Sequence, residues 1–354
     1  MKKIKWLILT AVFLLSACQF FLGQEPDTGP SEVLKSLWNE FNNIHANLDF
    51  RMSFNDDYIS WYDVYNNKQT GYALKINPGM SEKALFDICA DMLGELKDPH
   101  VGLYAPGLGY SGYNTGSNEY FDIDTARSYL NGYGNAEYKN FVFGVFSSDS
   151  GIGYVYINEF IDEDTETEDQ EWGRAIDHII NSLEKTRAVV LDVRNNRGGD
   201  NYVMEYIAAR FASETKDYCK VINKKGPGPN DFSAPVIYTI KSINKSLGYT
   251  KPVVLLTNKN TISIAEWFTL ALKTQSHVTH IGSATCGAFS PRKDRFMING
   301  WVYSISPGRV TDMNGKNYEG IGISPDKEEY IIANTTILSD KQLEEALKLA
   351  ARAE

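Results

Sequence analysis

The stretch Ala188-Val189-Val190-Leu191-Asp192-Val193-Arg194-Asn195-Asn196-Arg197-Gly198-Gly199 sets the fold class. Its first half is a β-branched apolar run with no alternation, the pattern of a strand buried on both faces. It runs into two glycines and then a helical pattern over Tyr202–Phe211. Such a turn presents backbone N–H groups at a helix N-terminus, where negative charge is favoured. No Gly-Lys-Ser/Thr follows and no Gly-x-Gly-x-x-Gly is present, so the turn is neither a Walker loop nor a dinucleotide fingerprint. The segment by itself serves an oxyanion, a phosphate or a plain tight turn equally well.

The surroundings repeat the strand-and-helix alternation. Phe141–Phe146, Ile152–Ile157, Val236–Ile240, Val253–Thr257 and Val278–Gly282 read as strands. Trp172–Leu183 and Ile264–Lys273 read as helices, the first led by the acidic run Asp162–Glu171. A closing helix is opened by Ser339-Asp340-Lys341-Gln342, which fits a capping box. Alternating strands and helices predict a mainly parallel sheet with helical crossovers. Ahead of this core, Leu34, Leu37, Trp38, Phe41, Ile44 and Leu48 recur at helical spacing after a possible N-cap at Ser31. A second helix is predicted after Ser81, ending before Lys97-Asp98-Pro99-His100 because Pro cannot continue the ladder. Residues 50–80 show no clean period, and 105–140 read as loops or short strands.

The 354 residues suggest about two domains. With 43% hydrophobic and 23% charged residues the composition is that of a globular chain, not a disordered or polytopic membrane one. A net charge of −10 argues against nucleic acid as a partner. Four cysteines are too few for a disulfide scaffold. Lys2, Lys3 and Lys5, the apolar Trp6–Leu15 and then Leu15-Ser16-Ala17-Cys18 form a secretory signal too short to span a bilayer. Its end resembles the lipobox of bacterial lipoproteins, which implies lipid attachment at Cys18 and a tether over 19–30.

A second segment pairs with the glycine turn. In Thr257-Asn258-Lys259-Asn260-Thr261-Ile262-Ser263-Ile264-Ala265-Glu266 a strand ends in a polar turn and Ser263 starts a helix. Ser263 is either an N-cap or a nucleophile presented at a helix N-terminus. A nucleophile needs a base. Of the five histidines, His45 and His178 fall in helical patterns as surface or packing residues, and His277 and His280 lie in a turn leading to a strand. His100 sits at a sharp junction between a terminated helix and the strand-like Val101–Tyr104.

Taken in order, Leu96-Lys97-Asp98-Pro99-His100-Val101, Asp192–Gly199, Thr261-x-Ser263-x-Ala265-Glu266, Gly282-x-x-Thr285-x-Gly287 and Gly320–Asp326 resemble the C-terminal processing and tricorn-type serine peptidases. The resemblance implies an α/β, ClpP/crotonase-like core over 141–354, an N-terminal helical cap over 31–105 and connecting segments over 106–140. It implies Ser263 as nucleophile, with an oxyanion hole from the N–H of Gly198 or Gly199 and of Ile264. The processing branch uses a lysine where this chain has Ala288, and Lys293 is displaced by five residues. The tricorn-like branch uses a histidine and a glutamate at positions matching His100 and Glu319. It also places a serine before the histidine, where this chain has Pro99. The span between His100 and the core is shorter than a PDZ domain needs, so none is expected there. The implied protein is an envelope-bound serine peptidase acting on peptides or unfolded proteins, with no cofactor or metal. A non-catalytic binder of apolar ligands or peptides on the same fold is the alternative. Cys286, near the implied site, reads as a packing residue.

Overall fold

A computed structural model describes residues 28–115, 119–131, 138–162, 171–244, 247–327, 332 and 339–353. Cys18, the signal and most of the tether lie outside the described residues. The buried strand that opens with Ala188 occupies the middle of a six-stranded sheet. In chain order the strands of this sheet are β3 (Leu130–Asn131), β4 (Phe141–Phe146), β5 (Asp149–Ile157), β6 (Ala188–Asp192), β9 (Val253–Thr257) and β10 (Val278–Gly282). Their spatial order is β10-β9-β6-β5-β4-β3; β5, β6, β9 and β10 run parallel, and β4 and β3 add antiparallel strands. Every side chain of β6 and β9 is buried, as their unbroken apolar runs require.

Register places the site. Asp192 pairs with Leu256, and Thr257 with Gly282. Three strands therefore end level, and the turns that follow emerge side by side at their carboxyl ends, where open parallel sheets carry ligands. One face of the sheet packs on helices α6 (Glu171–Ser182), α7 (Asn201–Arg210) and α8 (Ile264–Lys273). The same apolar cluster takes in the antiparallel β13-β7-β8 sheet, built from β7 (Lys216–Asn223), β8 (Val236–Ile240) and β13 (Gly308–Asp312). The other face is covered by α9 (Lys341–Ala351). Buried Arg194 joins β6 to that helix, reaching Asp192 at 2.6 Å and Asp340 at 2.7 Å. Asp340, not Ser339, caps α9, accepting the Leu343 N–H.

The N-terminal segments form α1 (Pro30–Ile44), α2 (Leu48–Met52), α3 (Trp61–Asn66), a 3-10 turn (Tyr72–Lys75) and α4 (Glu82–Gly94). α1 begins one residue before the expected cap: Gly29 is the N-cap and Pro30 supplies the first turn, where its fixed φ fits. Ser81 caps α4 as its position suggested, accepting the Ala84 N–H. Residues 101–131 give the hairpin β1 (Gly102–Ala105) and β2 (Gly109–Gly112), the short helix α5 (Ile123–Ser128) and β3. The hairpin is extended by β11 (Lys293–Phe296) and β12 (Val302–Ile305) into a four-stranded sheet, order β11-β12-β1-β2. Met297, Trp301, Tyr303 and Ile305 thereby join the apolar cluster of α1 and α4, although they are distant in sequence from both helices.

Candidate active site

Ser263 stands at the head of α8 with φ 63° and ψ −128°, a left-handed conformation rare for a residue with a Cβ. Holding it costs about 1–3 kcal/mol, which the surroundings must supply. They do so through the backbone. The Ile262 N–H donates to the Asn196 carbonyl at 3.0 Å, and the Thr261 hydroxyl to the Val193 carbonyl at 2.8 Å. Asn258 and Asn260 both donate to Asn195 Oδ1, and Asn195 itself has φ 58°. The two turns after β6 and β9 are thus stitched into one unit.

Gly198 is the closest point of that unit. A Cβ there would lie 2.9 Å from both the Ile264 nitrogen and the Ser263 Cβ, at a φ of 94° that side chains avoid. Its N–H is already engaged, donating to Asn196 Oδ1 at 2.8 Å. Gly199, φ 136°, is pressed on the Phe160 carbonyl, 2.3 Å from where a Cβ would sit. Among the described residues the N–H groups of Gly199 and Ile264 donate to nothing. Of the three expected oxyanion donors, Gly198 thus acts by allowing close approach, and the other two keep open amides.

Glu266, one turn into α8, braces the serine from behind. It is fully buried and accepts four bonds: from Thr285 Oγ1 at 2.6 Å, Gly287 N at 2.6 Å, Ala288 N at 2.8 Å and Ser263 N at 3.2 Å. Burial pushes its pKa up to about 7 against these four donors. It ties the Thr285–Gly287 segment, the third turn of the site, to the Ser263 turn. The sequence carried a signal for it, an acid three residues after a helix-initiating serine.

His100 is positioned by different means. Asp98 makes an Asx turn, accepting the His100 N–H at 2.9 Å while its carbonyl takes the Val101 N–H at 3.0 Å. The ring is 8% exposed, and its Nδ1 is buried without a partner in the described structure. Burial lowers its pKa to about 4, with the Asp98 charge opposing and Arg51 and Arg292 adding to the shift. The ring is therefore neutral across the physiological range, the state a general base requires.

Behind His100 lies an ionic network with three members whose roles the sequence did not disclose. Arg51, 3% exposed, reaches Glu319 Oε1 at 2.5 Å and Asp98 Oδ1 at 3.5 Å, and donates to the carbonyls of Lys97 and Gly287. His45 is no surface residue: it packs on Phe41 and also takes part in the network. It is fully buried at the C-cap of α1 and bonds Asp98 Oδ2 through Nε2 at 3.0 Å. The Asn47 N–H donates to its Nδ1, which assigns the proton to Nε2. Burial alone would raise the Asp98 pKa, but Arg51 and His45 outweigh it and hold the carboxyl well below its usual range. Glu319 also accepts the N–H of Phe289 at 3.0 Å and of Ser290 at 3.2 Å. Burial pushes its pKa up to about 7, with Arg51 pulling the other way. Glu319 thus meets the histidine turn through Arg51 and Asp98.

Pro99, adjacent to His100, and Ile262, adjacent to Ser263, line one cleft of about 440 Å³ together with Arg197, Lys259, Cys286 and Arg292. Cys286 packs with Ile262 and Ala288, and burial pushes its thiol up to about 12, which makes it inert. Lys293 is exposed on β11, paired across from Ile305, and the branch-defining position is filled by buried Ala288. No cluster of metal-ligating side chains occurs among the described residues.

A mixed α/β core with three turns converging at the carboxyl ends of parallel strands, and a strained serine in one of them, is the ClpP/crotonase-like fold, one of several unrelated folds that carry serine-type peptidases. The family model of peptidase family S41 matches residues 151–329, and the chain belongs to that family. It is similar to the carboxy-terminal processing protease CtpA of Bacillus subtilis (strain 168), 28% identical over 179 residues, or 50% of this chain and 34% of that protein. The chain thus matches about a third of the length of that curated relative. Among solved structures it is similar to a candidate peptidase from Parabacteroides merdae ATCC 43184, at 26% identity and TM-score 0.77, covering 92% of this chain and 97% of the other. The fold is shared with the photosystem II D1 C-terminal processing protease, at 16% identity and TM-score 0.55 over 92% and 98% of the two chains. It is shared also with a lipoprotein from Streptococcus agalactiae, at 17% identity and TM-score 0.52 over 93% and 98%.

Proposed function

We propose that the protein is a serine peptidase that cleaves peptides or unfolded proteins through an acyl-enzyme on Ser263, with His100 as general base. The observation that carries this reading is the left-handed backbone of Ser263, held at a helix N-terminus against Gly198. Ser263 Oγ attacks the scissile carbonyl carbon, and its proton passes to neutral His100. The oxyanion is received by the N–H groups of Gly199 and Ile264, donors already fixed in place by the two stitched turns. Collapse of the tetrahedral intermediate breaks the C–N bond, and His100 returns the proton to the departing amine. Water, deprotonated by His100, then hydrolyses the ester and frees Ser263. Glu319 supports the positive imidazolium at a distance, through Arg51 and Asp98, rather than by touching the ring.

The same reading places the protein in the cell envelope, lipidated at Cys18 and joined by the 19–30 tether to a helical unit carrying His100 and a core carrying Ser263 and Glu319. An envelope peptidase held by acyl chains works near a membrane surface without a spanning helix. Reaction with a fluorophosphonate tests the catalytic claim: Ser263 is labelled, and His100→Ala suppresses labelling. Labelling that survives Ser263→Ala overturns it. Cys18→Ala moves the protein from the membrane fraction to the soluble one if the anchor is real, and an unchanged distribution removes it.

A further inference from the structure

The cleft beside Ser263 is basic, in a chain whose formal net charge is −10. Arg197 comes from the turn after β6, Lys259 from the turn after β9, and Arg292 from the approach to β11. Like charges lining one cleft repel one another unless an anion joins them. Their own partners leave that place open. Arg197 is exposed and forms no ion pair among the described residues. Lys259 Nζ donates to two neutral carbonyls, those of Thr285 at 3.0 Å and Cys286 at 3.3 Å. Arg292 pairs with Asp294 at 3.0 Å, but both side chains are about half exposed to water, where such a pair is weak. One further carboxylate is near: Glu119 Oε2 accepts the backbone N–H of Lys259 at 3.1 Å. Asp98, Glu266 and Glu319 are taken up by their own buried donors.

Part of the remaining lining suits a short acidic group. Ile262, Cys286 and Pro99 offer apolar surface to methylene groups, Asn114, Thr115 and Asn260 add neutral polar groups, and two guanidinium forks can take carboxylate oxygens two at a time. We propose that Arg197, Lys259 and Arg292 form a subsite that selects substrates by the carboxylate of an Asp or Glu side chain. The word substrate rests on the peptidase reading above; the subsite itself rests on the cleft. Cations beside the nucleophile also steer acidic chains toward it, an effect that salt screens.

The test uses the full-length Ser263→Ala protein, which binds without turnover, and fluorescein-labelled peptides read by anisotropy. The peptides carry a single Glu or Gln at each position in turn, with a free or amidated C-terminus. The carboxylate peptide is expected to bind about tenfold tighter than its amide counterpart, the scale of a charge-assisted contact. That preference should shrink in high salt and vanish in Arg197→Gln/Arg292→Gln. A preference that follows Glu at one position supports the subsite; one that follows only the free C-terminus overturns it. Equal affinity for carboxylate and amide, or a preference intact in the double variant, overturns the subsite. Thermal unfolding confirms that the double variant is folded, and the single, exposed Arg197→Gln gives the same decision if it is not. Wild-type protein that resists fluorophosphonate would retire the nucleophile while leaving the anisotropy result to stand or fall by itself.

Discussion

Around Ser263 the geometry is held by backbone, neutral side chains and the single buried carboxyl group of Glu266: Asn196 and Val193 carbonyls, three asparagine amides, and two glycines that let the turns touch. Around His100 it is held by buried charge. Arg51, Asp98, His45 and Glu319 come from segments as far apart as α1 and the loop after β13, and each is nearly or fully buried. The first arrangement joins turns 63 to 68 residues apart that leave neighbouring parallel strands side by side. The second joins segments up to 268 residues apart that no single sheet brings together. The difference teaches where each side is vulnerable: one to a methyl group, the other to the loss of a single charge.

The largest expected effect lies on the charged side. Arg51→Met leaves Asp98 and Glu319 buried without their shared cation and should cost about 3–5 kcal/mol, read as denaturant or thermal unfolding. A loss below about 1 kcal/mol, the scale of an exposed pair, would break the contrast. On the backbone side, Gly198→Ala drives a Cβ to 2.9 Å from the Ile264 nitrogen. Rate should fall by about 10²–10³-fold, the cost of losing an oxyanion donor's alignment, with a smaller loss of stability than at Arg51. Near-normal turnover in Gly198→Ala would show that the two turns do not need that contact.

The pH profile sharpens the comparison further. His100, lowered by burial to about 4, is already neutral well below neutrality. Glu319, raised by burial to about 7, gains its negative charge only as pH rises through that value. Activity should therefore climb between pH 6 and 8 on Glu319 ionisation, by up to about tenfold per unit on the steep part. In Glu319→Gln this limb should disappear, leaving a slower enzyme whose rate declines only toward the histidine's own range near pH 4. A limb near 7 that persists in Glu319→Gln belongs to another group, with Glu266 the first to examine. The smallest effect is expected at Lys293→Ala, an exposed strand residue whose removal should change stability by less than about 0.5 kcal/mol and leave kcat unaltered. Loss of activity there, with His100→Ala active, would return the lysine to the role that Ala288 leaves empty.

What could be read in advance follows the same division. The strands β6 and β9 are visible as largely apolar runs and helix α8 as a helical period, because their burial is dictated residue by residue. Ser263 and Gly198 are visible because a turn must follow each strand. The ionic network is not, since nothing within a few residues of His45 or Arg51 announces a partner. His45 meets Asp98 at a separation of 53 residues, and Arg51 meets Glu319 at 268. Helix α2, with five residues, is too short to show a period, so Arg51 had no element to belong to. Likewise β11 and β12 return to pack with the N-terminal helices because Trp301 and Tyr303 complete that apolar cluster, a long-range contact that periodicity does not encode. Gly29 in place of Ser31, and Asp340 in place of Ser339, are shifts of one or two residues at helix starts, where several small or polar residues compete for the cap.

The central claim is that the strained serine at the head of α8 is a nucleophile activated by the histidine that the buried network positions. The direct measurement is intact-protein mass spectrometry after reaction with a fluorophosphonate, on wild type, Ser263→Ala and His100→Ala. The account predicts a single adduct mapped to Ser263 in wild type, none in Ser263→Ala and a strongly slowed reaction in His100→Ala. A wild-type protein that stays unmodified, or an adduct that remains in Ser263→Ala, would contradict it.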